Sequence, residues 1–134
     1  MQVKIELPDI KAVSRNDTTG HYIKYYQQLT LAEQWMWTFG KRYEHHFEGQ
    51  VDVIITAYYD TRGNKKCADT PNIDDKIFTD VLIRYKRQKK DKPIERGVWF
   101  IEDDNPKYLR SVTKFAIASD HFAVEIVINS VDDE

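Results

Sequence analysis

The chain has 134 residues, 41% hydrophobic and 13% aromatic, a single cysteine and a net charge of -2. That length gives one domain able to bury roughly two-thirds of its unfolded surface. The near-neutral balance excludes a global field toward polyanions, so a nucleic acid would have to be held by a local patch.

The segment "VKIEL" (3–7) alternates and stops at Pro8, which predicts a short strand, followed by the polar turn-rich "SRNDTTGH". From Ile23 to Tyr43, Leu29, Ala32, Trp35 or Met36, and Phe39 recur at helical spacing and predict a long helix packed by aromatics, which Gly40 ends or weakens. "QVDVIITAYY" (50–59) puts Val51, Val53, Ile55, Ala57 and Tyr59 on one face of a strand. An exposed loop, "DTRGNKKCADTP", leads to a second helix over "NIDDKIFTDVLIRY" (72–85), and Pro71 is well placed before it. The basic run "RYKRQKKDKP" reads as a frayed helix end and charged loop. Beyond it, "GVWFI" reads as a strand and "EDDNP" as an acidic turn; "YLRSVTKFAIA" and "HFAVEIVIN" read as two strands joined around Ser119 and Asp120. The order β, α, β, α, β, β, β describes a single α+β domain over residues 1–134: a largely antiparallel or mixed sheet covered by two main helices. No apolar run is long enough to span a bilayer. The lone Cys67 and an N-terminus without a secretory pattern lead to the expectation of a cytosolic protein.

Within the second helix, stepping 100° per residue places Ile73, Ile77, Phe78, Val81, Leu82 and Tyr85 in one apolar arc, with Asp74 near its middle. Asp75 and Asp80 fall at the edges of the arc, where a carboxylate reaches water. A first-turn acid is explained by the free backbone N–H groups and the helix dipole, but its inward direction is not. Asp69, Asp74 and Asp75 form one acidic cluster, and Glu102, Asp103 and Asp104 form another. Two such clusters could converge on a hard cation such as Mg²⁺, which takes oxygen ligands, or they could be ordinary solvated turns. Arg84, Lys86, Arg87, Lys89, Lys90 and Lys92, with Arg62, Lys65 and Lys66 upstream, form the local patch a phosphate contact requires; a solvated helix end is the competing reading. His45 and His46 are adjacent and read as surface histidines, since neighbours on a helix point about 100° apart.

"TPNIDD" opening a helix, "FIEDDNPKY" before a strand and a lysine within that strand together resemble the RusA family of Holliday junction resolvases. The family is common in bacteriophages and prophages. The resemblance implies a Mg²⁺-dependent endodeoxyribonuclease, with Mn²⁺ as a substitute ion, that cuts branched DNA such as a four-way junction and works as a homodimer. In the family the first motif usually reads D-I-D-N and the second D-D. Asp74 matches the central aspartate, Asp103 and Asp104 match the D-D pair with Asp104 the favoured ligand, and Lys114 matches the later strand lysine. The implied catalytic set is Asp74, Asp104 and Lys114; the implied metal set is Asn72, Asp74, Asp103 and Asp104, with Asp75 at its edge. With DNA as the substrate, the basic patch read above supplies the expected contacts: Lys65, Lys66, Lys86, Arg87, Lys89 and Lys90. The chain departs from the pattern at three positions: Asn72 replaces the first aspartate, Asp75 the asparagine, and Phe78 the usual helix lysine. The alternatives are a relative that binds junctions without cutting them and a non-enzymatic interaction module.

Overall fold

The computed structural model describes residues 1–15, 22–38, 46–63, 70–83, 85–89 and 92–131. Its elements in chain order are β1 (Gln2–Pro8), α1 (Tyr22–Thr38), β2 (Val51–Asp60), a 3-10 turn (Thr70–Asn72), α2 (Lys76–Leu82), β3 (Tyr85–Lys89), β4 (Lys92–Arg96), β5 (Leu109–Ser119) and β6 (Ala123–Ser130). A four-stranded mixed sheet runs in the order β1-β6-β2-β5, and β3-β4 form a separate two-stranded sheet. β2 is antiparallel to β6 and parallel to β5, while β1 closes the other side antiparallel to β6. The two strands joined around Ser119 and Asp120 therefore do not pair with each other: β2 lies between them.

The alternation in β2 has the expected effect. Val51, Val53, Ile55 and Ala57 are fully buried, Tyr59 nearly so, with β1 adding Val3, Ile5 and Leu7 and β6 adding Val124, Ile126 and Ile128. This face shares one core with Leu29, Ala32 and Met36 of α1 and with Ile77, Phe78, Val81 and Leu82 of α2. Of the two candidates on α1, Met36 is the core residue and Trp35 packs at its margin; Phe39 and Gly40 lie outside the described residues. Burial of each aliphatic side chain contributes about 1.5–3 kcal/mol, so the sheet face and the two helix stripes hold the layers together. The opposite sheet face carries Phe115 and Ile117, 50% and 43% exposed, beside Thr56 and Tyr58 in register.

Three sequence expectations are corrected. The second helix spans Lys76–Leu82 rather than 72–85, because residues 70–72 form the 3-10 turn and Ile73 pairs instead with Ser14. The basic run is not a helix end or loop but an antiparallel hairpin, with Tyr85 opposite Arg96 and Lys89 opposite Lys92. "GVWFI" is not a strand, because Gly97 (φ 94°) and Trp99 (φ 55°) both have positive φ, which breaks an extended run. Its backbone N–H groups serve another purpose. Val98 N donates to Val81 O (2.8 Å), and Phe100 N and Ile101 N donate to Leu82 O (2.8 and 3.1 Å). The segment thus satisfies carbonyls at the end of α2 that the helix itself leaves without partners.

The same segment is fixed on two further sides. Phe47 N donates to Phe100 O at 2.8 Å. His46 Nδ1 donates to Trp99 O at 2.9 Å; a carbonyl only accepts, so this bond requires the proton on Nδ1. His46 Nε2 lies 3.3 Å from Glu102, so His46 is half-buried and engaged, while His45 lies outside the described residues. At the stem of the hairpin, Gly97 N donates to the fully buried Glu33 Oε2 of α1 at 2.5 Å. A Cβ at position 97 would stand 1.8 Å from Ile83 O, so the chain leaves α2 and returns from β4 through a contact that only glycine permits.

Candidate functional site

The 70–75 segment is held by main-chain bonds before any side chain acts. Ile73 is fully buried and bridges to Ser14, and Asp74 N donates to Val13 O at 2.9 Å. Asp74 is 4% exposed, so its inward direction is as the sequence expects. Its position is different: it stands one residue outside the helix N-cap, Asp75, and its Oδ1 accepts the N–H of Lys76 at 3.1 Å. One reason for its orientation is therefore local capping of the first helical N–H.

Asp75 supplies the backbone cap, its carbonyl accepting from Phe78 N and Thr79 N at 3.1 Å each. Its carboxylate faces two cations, Arg15 Nη2 at 2.6 Å and Lys114 Nζ at 3.2 Å. Burial acts to raise its pKa, but the bonds from Arg15 and Lys114 prevail and hold it below the usual carboxylate range. Lys114 comes from β5, where its register partner is Ile55, so it lies on the helix-bearing face of the sheet. It also donates to Pro71 O and Ile73 O, both at 3.3 Å. One ammonium thus ties the 3-10 turn, Ile73 and Asp75 to the edge strand of the sheet.

The second acidic segment follows the residues docked on the end of α2. Asp103 Oδ1 accepts Asp104 N at 2.7 Å and its Oδ2 accepts Asn105 Nδ2 at 3.1 Å. The backbone N–H bond foremost holds Asp103 below its ordinary pKa. Asp104 moves the other way: partial burial and the adjacent Asp103 raise it, while Lys76 opposes the rise. Asp80 is pushed up to about 6, by burial and then by the charge of Asp104. Tyr25 of α1 donates its hydroxyl proton to Asp80 Oδ2, and Lys76 Nζ lies 6.0 Å from the Tyr25 ring centroid.

The second acidic segment therefore acts electrostatically on α2, through the charge of Asp104 on Asp80 and that of Lys76 on Asp104. Asp80 is half-buried, as the edge of the apolar arc allows, but no site role is expected of it from the sequence. The available signal was the i, i+4 spacing from Lys76 to Asp80. Asn72 is half-buried in the 3-10 turn, and Phe78, where the resemblance would have a lysine, is 3% exposed in the core. Lys86, Arg87 and Lys89 lie on β3, described in backbone only; Lys65, Lys66, Lys90, Asp69 and Cys67 lie outside the described residues.

The donor set suits a hydrated divalent cation rather than a closed cage. Among the described residues no three acidic, histidine or cysteine side chains are gathered into a ready-made metal site. Burial and the charge of Asp104 raise the cost of ionising Asp80, and burial and Asp103 raise that of Asp104, costs that a nearby cation would offset. Mg²⁺ commonly binds through one or two carboxylates and keeps several waters.

The chain matches no protein-family model, and no curated protein is significantly similar to it. No helix among the described residues is long and apolar enough to cross a membrane.

Proposed function

We propose that this protein is a RusA-like, metal-dependent endodeoxyribonuclease acting on branched DNA such as a four-way junction. The observation on which the reading leans is that Asp104 of the second acidic turn acts on Asp80, midway along α2, which is pushed up to about 6 by burial and then by that charge. Asp74 and Asp104 would hold Mg²⁺ or Mn²⁺, with Asp80 as an added carboxylate that offsets the loss of charge at Asn72. The ion supplies charge neutralisation on the phosphodiester and an activated water. Asp103, closed within its own turn, orients the backbone of Asp104. Lys114, engaged with Asp75 and two carbonyls, is a positioning residue that fixes the 71–75 turn. The basic stretch around Lys86, Arg87, Lys89 and Lys90 binds DNA, a junction's two-fold symmetry calls for a homodimer, and a cytosolic phage or prophage setting belongs to the same reading.

The test is cleavage of a labelled synthetic four-way junction with Mg²⁺ or Mn²⁺ against EDTA, for the unmodified chain and for Asp74→Asn and Asp104→Asn. Asp74→Asn retains an amide oxygen to accept the Lys76 N–H, so it should cost less than about 1 kcal/mol of stability while cutting is lost. Cutting that persists in EDTA or in Asp104→Asn overturns the metal assignment.

A second reading, a junction binder that does not cut, is favoured by the neutral Asn72 and by the buried Phe78. Junction binding with no metal-dependent nicks selects it.

A further inference from the structure

The sheet face that the helices leave open carries a hollow of about 790 Å³ over β1, β6 and the end of β2. The strand register shows how it arises. Pro8, Ala123 and Tyr58 lie in one row across the three strands, and Glu6, Glu125 and Thr56 form the next row on the same face. Ala123 is the small member of its row, so the surface sinks between Pro8 and the Tyr58 ring. The volume falls in the range of small-molecule sites, about 300–1,000 Å³. Lys114 and Asp75 belong to the other, helix-bearing side of the sheet, and the nuclease reading makes no use of this hollow.

Its two sides differ in chemistry. On one, Tyr58 and His121 stack, with ring centroids 5.8 Å apart and planes 13° from parallel. His121 Nδ1 lies 2.8 Å from Ser119 Oγ and 2.9 Å from Asp120 Oδ1, so both neighbours orient the imidazole beside the phenol ring. On the other side Glu6 and Glu125 stand directly opposite each other across the β1-β6 pair, a juxtaposition of like charges that costs a sheet stability unless it is offset. Lys4 offsets it in part, its Nζ lying 3.3 Å from Glu6 Oε1 and 3.3 Å from Glu125 Oε2. These contacts use two of the ammonium's three N–H donors and one oxygen of each carboxylate. Among the described residues the rim therefore retains one donor and two carboxylate oxygens, with one net negative charge over its three side chains.

Such a hollow selects its occupant on three counts. The aromatic wall over an alanine floor favours a flat ring. A rim with more acceptors than donors favours a ring edge rich in N–H groups, and its net negative charge disfavours a phosphate or carboxylate. An amino-bearing nucleobase meets all three conditions: its exocyclic amino group can donate to a carboxylate, as cytosine N4 does to Glu or Asp, while an adjacent ring nitrogen or carbonyl accepts from the ammonium. Thymine instead presents one N–H between two carbonyl oxygens, which would face the carboxylates.

We propose that the hollow is a nucleobase site, in which the ring of an adenine, cytosine or guanine lies against the Tyr58–His121 wall, its amino group donates to Glu125 and Glu6, and Lys4 donates to the acceptor beside that group. The site is additional to the nuclease reading and does not depend on it. The base comes from one of two sources, a free nucleoside or an unpaired base within a DNA strand.

The test is an NMR titration of the full chain, following the amides of Glu6, Tyr58, Ala123 and Glu125 as adenosine, cytidine or thymidine is added. Adenosine and cytidine should move these signals saturably, and thymidine should bind at least roughly fivefold more weakly, the lower end of the discrimination given by a good bidentate contact. Tyr58→Leu should weaken adenosine binding roughly five- to 150-fold, the loss expected for one stacked base. Glu125→Gln should bring cytidine and thymidine affinities together, because an amide both donates and accepts, while the distant surface variant Lys107→Gln leaves them apart. A short oligodeoxyadenylate forms the second arm: tighter binding per base than adenosine supports the site and assigns it to a strand, and weaker binding supports it and assigns it to a free nucleoside, whose ring brings no phosphate to the rim. The absence of saturable shifts at these amides with every nucleoside and with the oligomer overturns the site. Equal binding of thymidine and cytidine by the unmodified chain, or an undiminished preference in Glu125→Gln, overturns the amino-group recognition. The nucleoside titration needs no cutting, so it fails or succeeds independently of the nuclease reading.

Discussion

Replacing Gly97 by alanine should destabilise the domain far more than its one added methyl group suggests. Gly97 has φ 94° and its added Cβ would meet Ile83 O at 1.8 Å, a backbone atom that cannot turn aside as a side chain would. The left-handed region costs an L-residue about 1–2 kcal/mol. Relief of the clash must also shift Gly97 away from Glu33, breaking the 2.5 Å bond to a fully buried carboxyl, and loss of such a bond costs about 1–3 kcal/mol more. The expected loss is about 3 kcal/mol, seen as a fall of about 1–2 M in the urea midpoint at unchanged slope. Because Gly97→Ala and Glu33→Ala break the same bond, the double variant should lose clearly less than the sum of the two. A Gly97→Ala loss under about 1 kcal/mol, or full additivity with Glu33→Ala, would refute the account of the hairpin stem.

Asp80→Asn should stabilise the metal-free protein above neutrality. The folded-state carboxyl titrates at about 6 against an ordinary 3.8, so the native state holds more protons between these values and stability is lost as pH rises through them. That interval is worth about 3 kcal/mol at most, and partial exposure reduces it to about 1–2 kcal/mol by screening. Thermal melts in EDTA should show the variant's advantage at about pH 7.5 and its disappearance below about pH 4; an advantage independent of pH refutes the assignment. Lys114→Met should remove the tie between β5 and the 71–75 turn, with a loss of about 1–3 kcal/mol in urea unfolding and weaker protection of the Asp75 and Lys76 amides; unchanged protection would show that main-chain bonds alone set the turn. If a divalent ion binds at Asp104, Mg²⁺ should raise the melting temperature of the unmodified chain, and Asp104→Asn should abolish that rise.

The parts of the fold set by apolar alternation were legible beforehand. β2 announces itself through five alternate apolar residues, and Asp74 through its place in an apolar arc. What escaped notice has no apolar period. β3 and β4 are built from lysine, arginine and glutamine, so a hydrophobic pattern contains nothing to mark them, and only pairing brings Lys86 opposite Glu95. The second helix starts late because Ile73 is engaged with Ser14, a partner nearly sixty residues earlier that no local window contains. "GVWFI" has the composition of a strand, and tertiary bonds to Val81 and Leu82 override it. At the site, Asp80 looked solvated because its neighbours Tyr25 and Asp104 arrive from other elements.

The placement of β2 between β5 and β6 also bears on the order of events when the chain is synthesised. β5 and β6 are neighbours along the chain, yet neither can zip onto the other; each must find β2, which was made some sixty to eighty residues earlier. β1 waits longest, since its partner is the last strand and Gln2 pairs with Asn129. Pairings of such long range must meet their loop-closure cost before they yield any stability. No stretch emerging early from the ribosome can complete the sheet, and the hydrogen-bonding edges of β1 and β2 stay unpaired until β5 and β6 are available. A nascent chain stalled before residue 123 should therefore be more sensitive to protease than one released past residue 131.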